Sequence, residues 1–217
     1  MKSTNTASIE VAKILFRIGA VLFRTRQPFR YSSGVLSPVY TDNRLIISHP
    51  KERKIITGLL SEQVKKLGKV DVLAGTATAG IPHAAMIAQK LNLPMVYVRS
   101  EAKSHGKKNQ IEGKITRGQK AVVIEDLIST GGSSLAVVFA LRKAGVKVTD
   151  IVAIFTYGFK EAQTNFKKNK VKLHVLTDIN YSAAAALKEG YLKPQQVDSI
   201  RDWSKDPKGW GKKMGFE

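Results

Sequence analysis

The sequence predicts an α/β domain on a mainly parallel sheet, and three observations carry that prediction. Short apolar runs alternate along the chain with segments whose apolar residues recur at helical spacing. The runs are continuous rather than alternating, as strands buried on both faces are. Loops of small and hydroxyl residues follow successive runs, where an open parallel sheet holds its ligands. At 217 residues the chain has room for one such domain with a full core. It contains no internal repeat and no linker to a second domain.

Composition narrows the classes. Cysteine is absent, which excludes a disulfide framework, a zinc–thiolate site and a cysteine nucleophile. No apolar run approaches a membrane span. Met1 to Thr6 lacks the apolar core and cleavage site of a signal peptide, so a cytoplasmic protein is expected. The net charge is +19, and basic chains often bind nucleic acid. Here the lysines are spread over helix faces, the loop after Arg99 and the tail, with no nucleic-acid-binding signature. Nucleic acid is therefore not expected as a partner, and the charge reads as a field that attracts polyanionic substrates.

Taken in order, Ile9, Ala12, Leu15, Phe16, Gly19 and Leu22 predict an amphipathic helix over roughly 7–23. Ser33-Gly34 marks a turn between two short strands within residues 29–42. Ser48 is a candidate cap with Pro50 at the first helical position, and Gly68 ends that helix. Its buried stripe is Ile55, Ile56, Leu59, Leu60, Val64 and Leu67. The strand Val70 to Ala74 empties into Gly75-Thr76-Ala77-Thr78-Ala79-Gly80-Ile81-Pro82, small residues that let a ligand approach the backbone. His83 follows on the next helix and reads as packing. The strand Pro94 to Val98 leads into a polar loop over 99–113 that carries Arg99, Lys103, His105, Lys107 and Lys108. A loop that long in a small domain is either disordered or a functional lid. Cations on a lid suit closure over a departing polyphosphate.

Residues 121–134 form the organising segment. Ala121-Val122-Val123-Ile124 runs into Glu125-Asp126, then Leu127-Ile128-Ser129-Thr130-Gly131-Gly132-Ser133-Ser134, and an apolar helix begins at Leu135. A strand, tight turn and helix start present backbone N–H groups and a helix dipole to an anion. Gly131 and Gly132 are free to take left-handed angles, and four hydroxyls add donors. The segment has neither the Walker nor the dinucleotide spacing. Carboxylates beside a phosphate cradle repel phosphate, a conflict that a ribose diol or a magnesium ion resolves. The ligand is thus expected to carry a sugar as well as phosphate. Beyond it the pattern predicts a helix to Gly145, a strand Asp150 to Gly158 and a helix over 159–169. A strand Lys172 to Leu176, a helix near 182–189 and a final helix from Lys193-Pro194 to Trp203 follow. The tail 205–217, with three glycines and four lysines, is expected to be loose.

The central segment resembles the phosphoribosyl diphosphate (PRPP) motif of type I phosphoribosyltransferases. That resemblance implies the type I fold, with Glu125 and Asp126 on the ribose hydroxyls. It places Ser129, Thr130, Gly131, Gly132 and Ser133 around the 5′-phosphate and counts Leu127 and Ile128 among the PRPP-binding residues. Ser33-Gly34-Val35-Leu36-Ser37-Pro38 resembles the hood of orotate phosphoribosyltransferases. Arg99-Ser100-Glu101-Ala102-Lys103-Ser104-His105-Gly106 resembles their catalytic loop. The resemblance implies one domain over 1–217, with the hood over about 1–45, the core over about 46–190 and a helix and tail over 191–217. It further implies a homodimer in which the loop 99–113 reaches the neighbouring subunit's site. Lys103, His105 and Asp126 are the implied catalytic residues. Arg99, Lys103 and His105 meet PRPP, Ser129 meets orotate, and Mg²⁺ is held mainly through PRPP.

The family pattern is departed from at three places. Ala79 stands where many orotate enzymes have a lysine, Ser100 where a second basic residue often follows the arginine, and Thr156-Tyr157 where some have an arginine on orotate. Two other readings remain at this stage: a phosphoribosyltransferase for another base, and a PRPP-binding regulator.

Overall fold

A six-stranded sheet forms the centre of the computed structural model, which describes the backbone of residues 2–31, 33–99 and 110–216 and side chains from Thr6 onward. The chain opens with α1 (Lys2–Arg17), then β1 (Val21–Phe23), β2 (Phe29–Arg30), β3 (Leu36–Ser37) and β4 (Val39–Thr41). A 3-10 turn (Asn43–Ser48) and α2 (Pro50–Lys65) lead to β5 (Val72–Thr76), α3 (Gly80–Leu91), β6 (Met95–Val98) and β7 (Ile111–Glu112). Then come β8 (Lys120–Ile128), α4 (Gly132–Lys143), β9 (Lys147–Thr156), α5 (Lys160–Lys168), β10 (Lys172–Asp178), α6 (Ile179–Lys188), α7 (Pro194–Lys205) and α8 (Trp210–Lys213).

The strand order is β10-β9-β8-β5-β6-β7, parallel except for β7. From β5 the chain steps to β6 on one side and later returns to place β8 on the other. The crevice between the carboxyl ends of β5 and β8 is therefore the topological switch point.

Alternation along the strands feeds two cores. Val122, Ile124, Val152 and Ile154 join one cluster with α1, α2, α3, α6 and α7. Ala121, Val123, Ile151 and Ala153 join the other with α4 and α5. Side chains of period two between two layers of helix explain why these strands show no polar face.

Several boundaries differ from expectation. The first helix stops at Arg17, because Gly19 takes φ 72° and Leu22 belongs to β1, paired with Tyr40. Ser48 ends the 3-10 turn, so His49 occupies the cap position before Pro50. Ile55 faces outward, while Ile56, Leu60 and Val64 form the buried stripe. The turn at Gly34 is as expected, with β2 and β3 paired across it. The tail is docked rather than loose. Trp210 on α8 is 1% exposed and meets the Phe216 ring at a tilt, and its indole donates to Ser199 Oγ at 3.2 Å. Two large aromatics outweigh the glycines and lysines around them.

Candidate active site

The acidic pair sits near the end of β8, because the strand runs on through Glu125 and Asp126 to Ile128. Period two then sends the two carboxylates to opposite faces. Glu125 turns towards α4, where Ser134 Oγ donates to its Oε2 at 3.1 Å and the Asp126 N–H donates to its Oε1 at 3.1 Å. It is 5% exposed, and burial followed by the neighbouring Asp126 pushes its pKa up to about 8. Asp126 turns to the other face and is half-buried. Asn43 Nδ2 donates to its carbonyl at 2.7 Å, which ties the turn after β4 to the site.

This environment predicts a pH signature. A carboxyl whose pKa rises on folding binds its proton more tightly in the folded chain. The stability it confers is full below about 4.5 and is lost as pH climbs through about 8. Glu125→Gln removes that loss. We expect the variant to melt higher than the parent at pH 8 and close to it at pH 5. Equal pH slopes in thermal melts of the two proteins would refute the assignment.

The cradle follows directly. Gly131 takes φ 81° as the cap of α4, and a β-carbon there would lie 2.6 Å from the Phe166 ring. Gly132 does not take a left-handed angle, because it is already the first residue of the helix. The helix starts at Gly132 rather than Leu135, and the Leu135 N–H bonds to the Gly131 carbonyl. The N–H groups of Gly132, Ser133 and Ser134 therefore precede the first helical bond and have no carbonyl of the helix to bond. Ser129, Gly132 and Ser133 are exposed.

Two cavities flank this cradle. One, of about 300 Å³, lies at the switch point. Glu125, Asp126, Leu127 and Ser133 line it on one side, Thr76, Ala77, Thr78 and Ala79 on the other, and Thr41, Asp42 and Arg44 close it from the hood side. The Ala77–Thr78 peptide in its wall is cis. A β-carbon on Gly80 would lie 2.5 Å from the Ile124 carbonyl, so the loop after β5 packs directly on β8. The other cavity, of about 500 Å³, is aromatic. Ser129 and Thr130 open onto it beside Tyr31, Tyr157, Phe159 and Trp203. Tyr31 donates to the Val39 carbonyl at 2.8 Å and lies 3.1 Å from the Tyr157 hydroxyl, so hood and sheet meet there.

Of the predicted residues, Glu125, Asp126, Leu127 and Ser133 share the smaller cavity, and Ser129 and Thr130 face the larger. Ile128 is buried at 1%, with its carbonyl taken by the Tyr157 N–H and Thr156 Oγ1. Arg99 lies at the end of β6 within 4.0 Å of Glu112. Ser100, Lys103, His105, Lys107 and Lys108 lie outside the described residues. His83 is packed as expected. It is 1% exposed, neither ring nitrogen has a hydrogen-bond partner among the described residues, and burial lowers its pKa. Sequence reasoning missed Asp42 and Arg44, and took Thr41 only as part of the hood and Thr76 only as part of a loop of small residues. The signal lay in Thr41-Asp42-Asn43-Arg44, a run of four polar residues at the end of the hood.

An anion cradle and a carboxylate pair converge on one crevice of a parallel sheet, which defines a protein that handles a phosphorylated sugar. A family model described as a phosphoribosyl transferase domain matches residues 45–188, and the chain belongs to the phosphoribosyltransferase family. Its relatives include an orotate phosphoribosyltransferase of Listeria monocytogenes, 51% identical over 94% of this chain and 98% of that protein. The orotate phosphoribosyltransferase of Coxiella burnetii is 50% identical over 93% of this chain and 97% of its own length. Among solved structures, orotate phosphoribosyltransferase from Aeropyrum pernix superposes with a TM-score of 0.73 at 32% identity, covering 84% of this chain and 99% of that one. The fold is the type I phosphoribosyltransferase fold that the sequence predicted.

Proposed function

We propose that this chain is an orotate phosphoribosyltransferase that transfers the ribose 5-phosphate of PRPP to orotate in pyrimidine nucleotide synthesis. The products are orotidine 5′-monophosphate and pyrophosphate. The observation that carries this reading is identity near one half with named orotate enzymes over almost their whole length. The two cavities support it, since a polar one and an aromatic one on either side of a phosphate cradle suit a diphosphate and a planar base.

In this reading orotate N1 attacks C1 of the ribose and pyrophosphate leaves. Orotate already carries a nucleophilic nitrogen at neutral pH, so the barrier is charge separation rather than proton removal. The cradle from Ser129 to Ser133 holds the 5′-phosphate with backbone N–H groups and hydroxyls. Asp126 and Glu125 orient the ribose hydroxyls. Arg99, Lys103 and His105 stabilise the leaving group, and His105 is suited to donate a proton to it. Ser129 and neighbouring N–H groups take the part of the arginine that Thr156-Tyr157 replaces. Asp126 offers the oxygen ligands a hard cation prefers, while both carboxylate oxygens of Asp42 are taken by Arg44. Among the described residues no three His, Cys, Asp or Glu side chains converge to hold a metal alone. Asp126 with the substrate's phosphates is therefore the fitting holder for Mg²⁺, which when bound offsets the charge of the diphosphate. The loop 99–113 completes the neighbouring subunit's site in a homodimer. We place the enzyme in the cytoplasm, and no described helix is long and apolar enough to cross a membrane.

The test is the absorbance of orotate on mixing the protein with orotate, PRPP and Mg²⁺. Loss that requires all three is expected. No loss with PRPP still bound would overturn the choice of base.

A further inference from the structure

The cavity at the switch point has an unbalanced charge. Among the described residues its lining holds two carboxylates, Asp42 and Asp126, the buried carboxyl of Glu125, which keeps its proton up to about pH 8, and one cation, Arg44. The loop Thr76 to Ala79 opposite brings only small neutral side chains. A diphosphate entering there meets like charge from the protein unless a cation is fixed in the wall.

Arg44 is fixed. Asp42 accepts its backbone N–H at 3.2 Å, its Nε at 2.6 Å and its Nη2 at 2.8 Å. This bidentate grip uses one edge of the guanidinium fork. Nη1 has no hydrogen-bond partner among the described residues, and the side chain is 64% exposed. The turn that carries it is pinned by Asn43, itself fully buried, to the Asp126 carbonyl. Thr76 Oγ1, a hydroxyl of the same lining, is buried with no hydrogen-bond partner among the described residues. The cavity therefore combines a preset cation with an unsatisfied hydroxyl, a composition suited to a polyoxyanion.

We propose that Arg44 binds the diphosphate end of the substrate and the released pyrophosphate, supplying from the turn after β4 the cation that Ala79 does not supply from the loop after β5. The inference rests on the phosphoribosyl transfer proposed above but not on the identity of the base. Asp42 is its positioning partner.

Titration calorimetry with inorganic pyrophosphate and Mg²⁺ tests it without any base. Arg44→Gln is expected to weaken binding about tenfold, the loss of one charge-assisted contact. Arg44→Lys is expected to fall between, because it keeps the charge but not the fork. Ala79→Lys in the Arg44→Gln background is expected to recover binding, since both positions line the same cavity. Lys147→Gln, at the amino end of β9, controls for the general field and is expected to bind as the parent does. In turnover assays the KM for PRPP should rise in Arg44→Gln while the KM for orotate stays put. Arg44→Gln binding pyrophosphate as tightly as the parent would overturn the proposal, and so would an equal loss in Lys147→Gln. If orotate is not consumed but the pyrophosphate pattern holds, the base assignment fails and Arg44 keeps its role.

Discussion

Lys103→Ala is expected to lower turnover by about 10²–10³-fold, with PRPP affinity changed by less than about tenfold. The asymmetry follows from where the charge develops. PRPP in the ground state already has the cradle and the fixed walls of the switch-point cavity. Charge accumulates on the pyrophosphate as its bond to C1 breaks, and a lysine brought in by a loop acts most at that moment. The ends of this loop are joined in the fold. The Arg99 N–H donates to the Gln110 carbonyl at 3.0 Å, Gln110 Nε2 donates to the Arg99 carbonyl at 2.8 Å, and Tyr97 pairs with Glu112 across β6 and β7. Arg99 and Gln110 thus lie side by side at the sheet edge beside the parallel strands. Single-turnover rates and PRPP binding measured on the same variant decide the matter. Equal losses in rate and affinity would show that Lys103 acts on the ground state, against the role proposed for it.

Trp203→Ala is expected to cost about 3–5 kcal/mol of stability, the range for deleting a fully buried large aromatic. Trp203 on α7 is 0% exposed, and its indole donates to the Leu36 carbonyl of the hood at 3.1 Å. Its ring meets those of Tyr157 and Phe159 edge-on, with centroids 5.1 and 5.2 Å apart. The substitution therefore removes packing, an indole hydrogen bond and the link from the C-terminal helix to the hairpin. Because Trp203 also lines the aromatic cavity, the KM for orotate should rise at temperatures where the variant is still folded. Denaturant unfolding measures the first effect and steady-state kinetics the second. A loss below about 0.5 kcal/mol, the level of an ordinary surface change, would contradict this account of the core.

Much of the site was legible because its chemistry is local. Glu125, Asp126 and the residues from Ser129 to Ser133 fall within one short stretch of chain, so one strand, one turn and one helix start define them whatever surrounds them. The division of labour within the pair was less visible. The acids are expected at the end of the strand, with nothing to tell them apart. Because β8 continues to Ile128, alternation buries Glu125 against Ser134 and leaves Asp126 half-buried, with both still lining the cavity. Gly131 was legible as a left-handed position, while Gly132 was absorbed by a helix that begins three residues earlier than its apolar residues suggest.

By itself the sequence determined the alternation of strand and helix, the parallel sheet, the anion cradle and the resemblance to orotate enzymes, since each resides in residue spacing or in short motifs. Tertiary structure alone decided that Arg44 and Ala79 line one cavity. It also decided that Asn43 anchors to Asp126, that Tyr31 meets Tyr157, and that the tail folds back through Trp203 and Trp210. These partners are far apart in the chain, up to 167 residues for Trp203 and Leu36. Burial of apolar surface drives such meetings and carries no direction along the sequence, so only the completed packing identifies which distant residues share a wall.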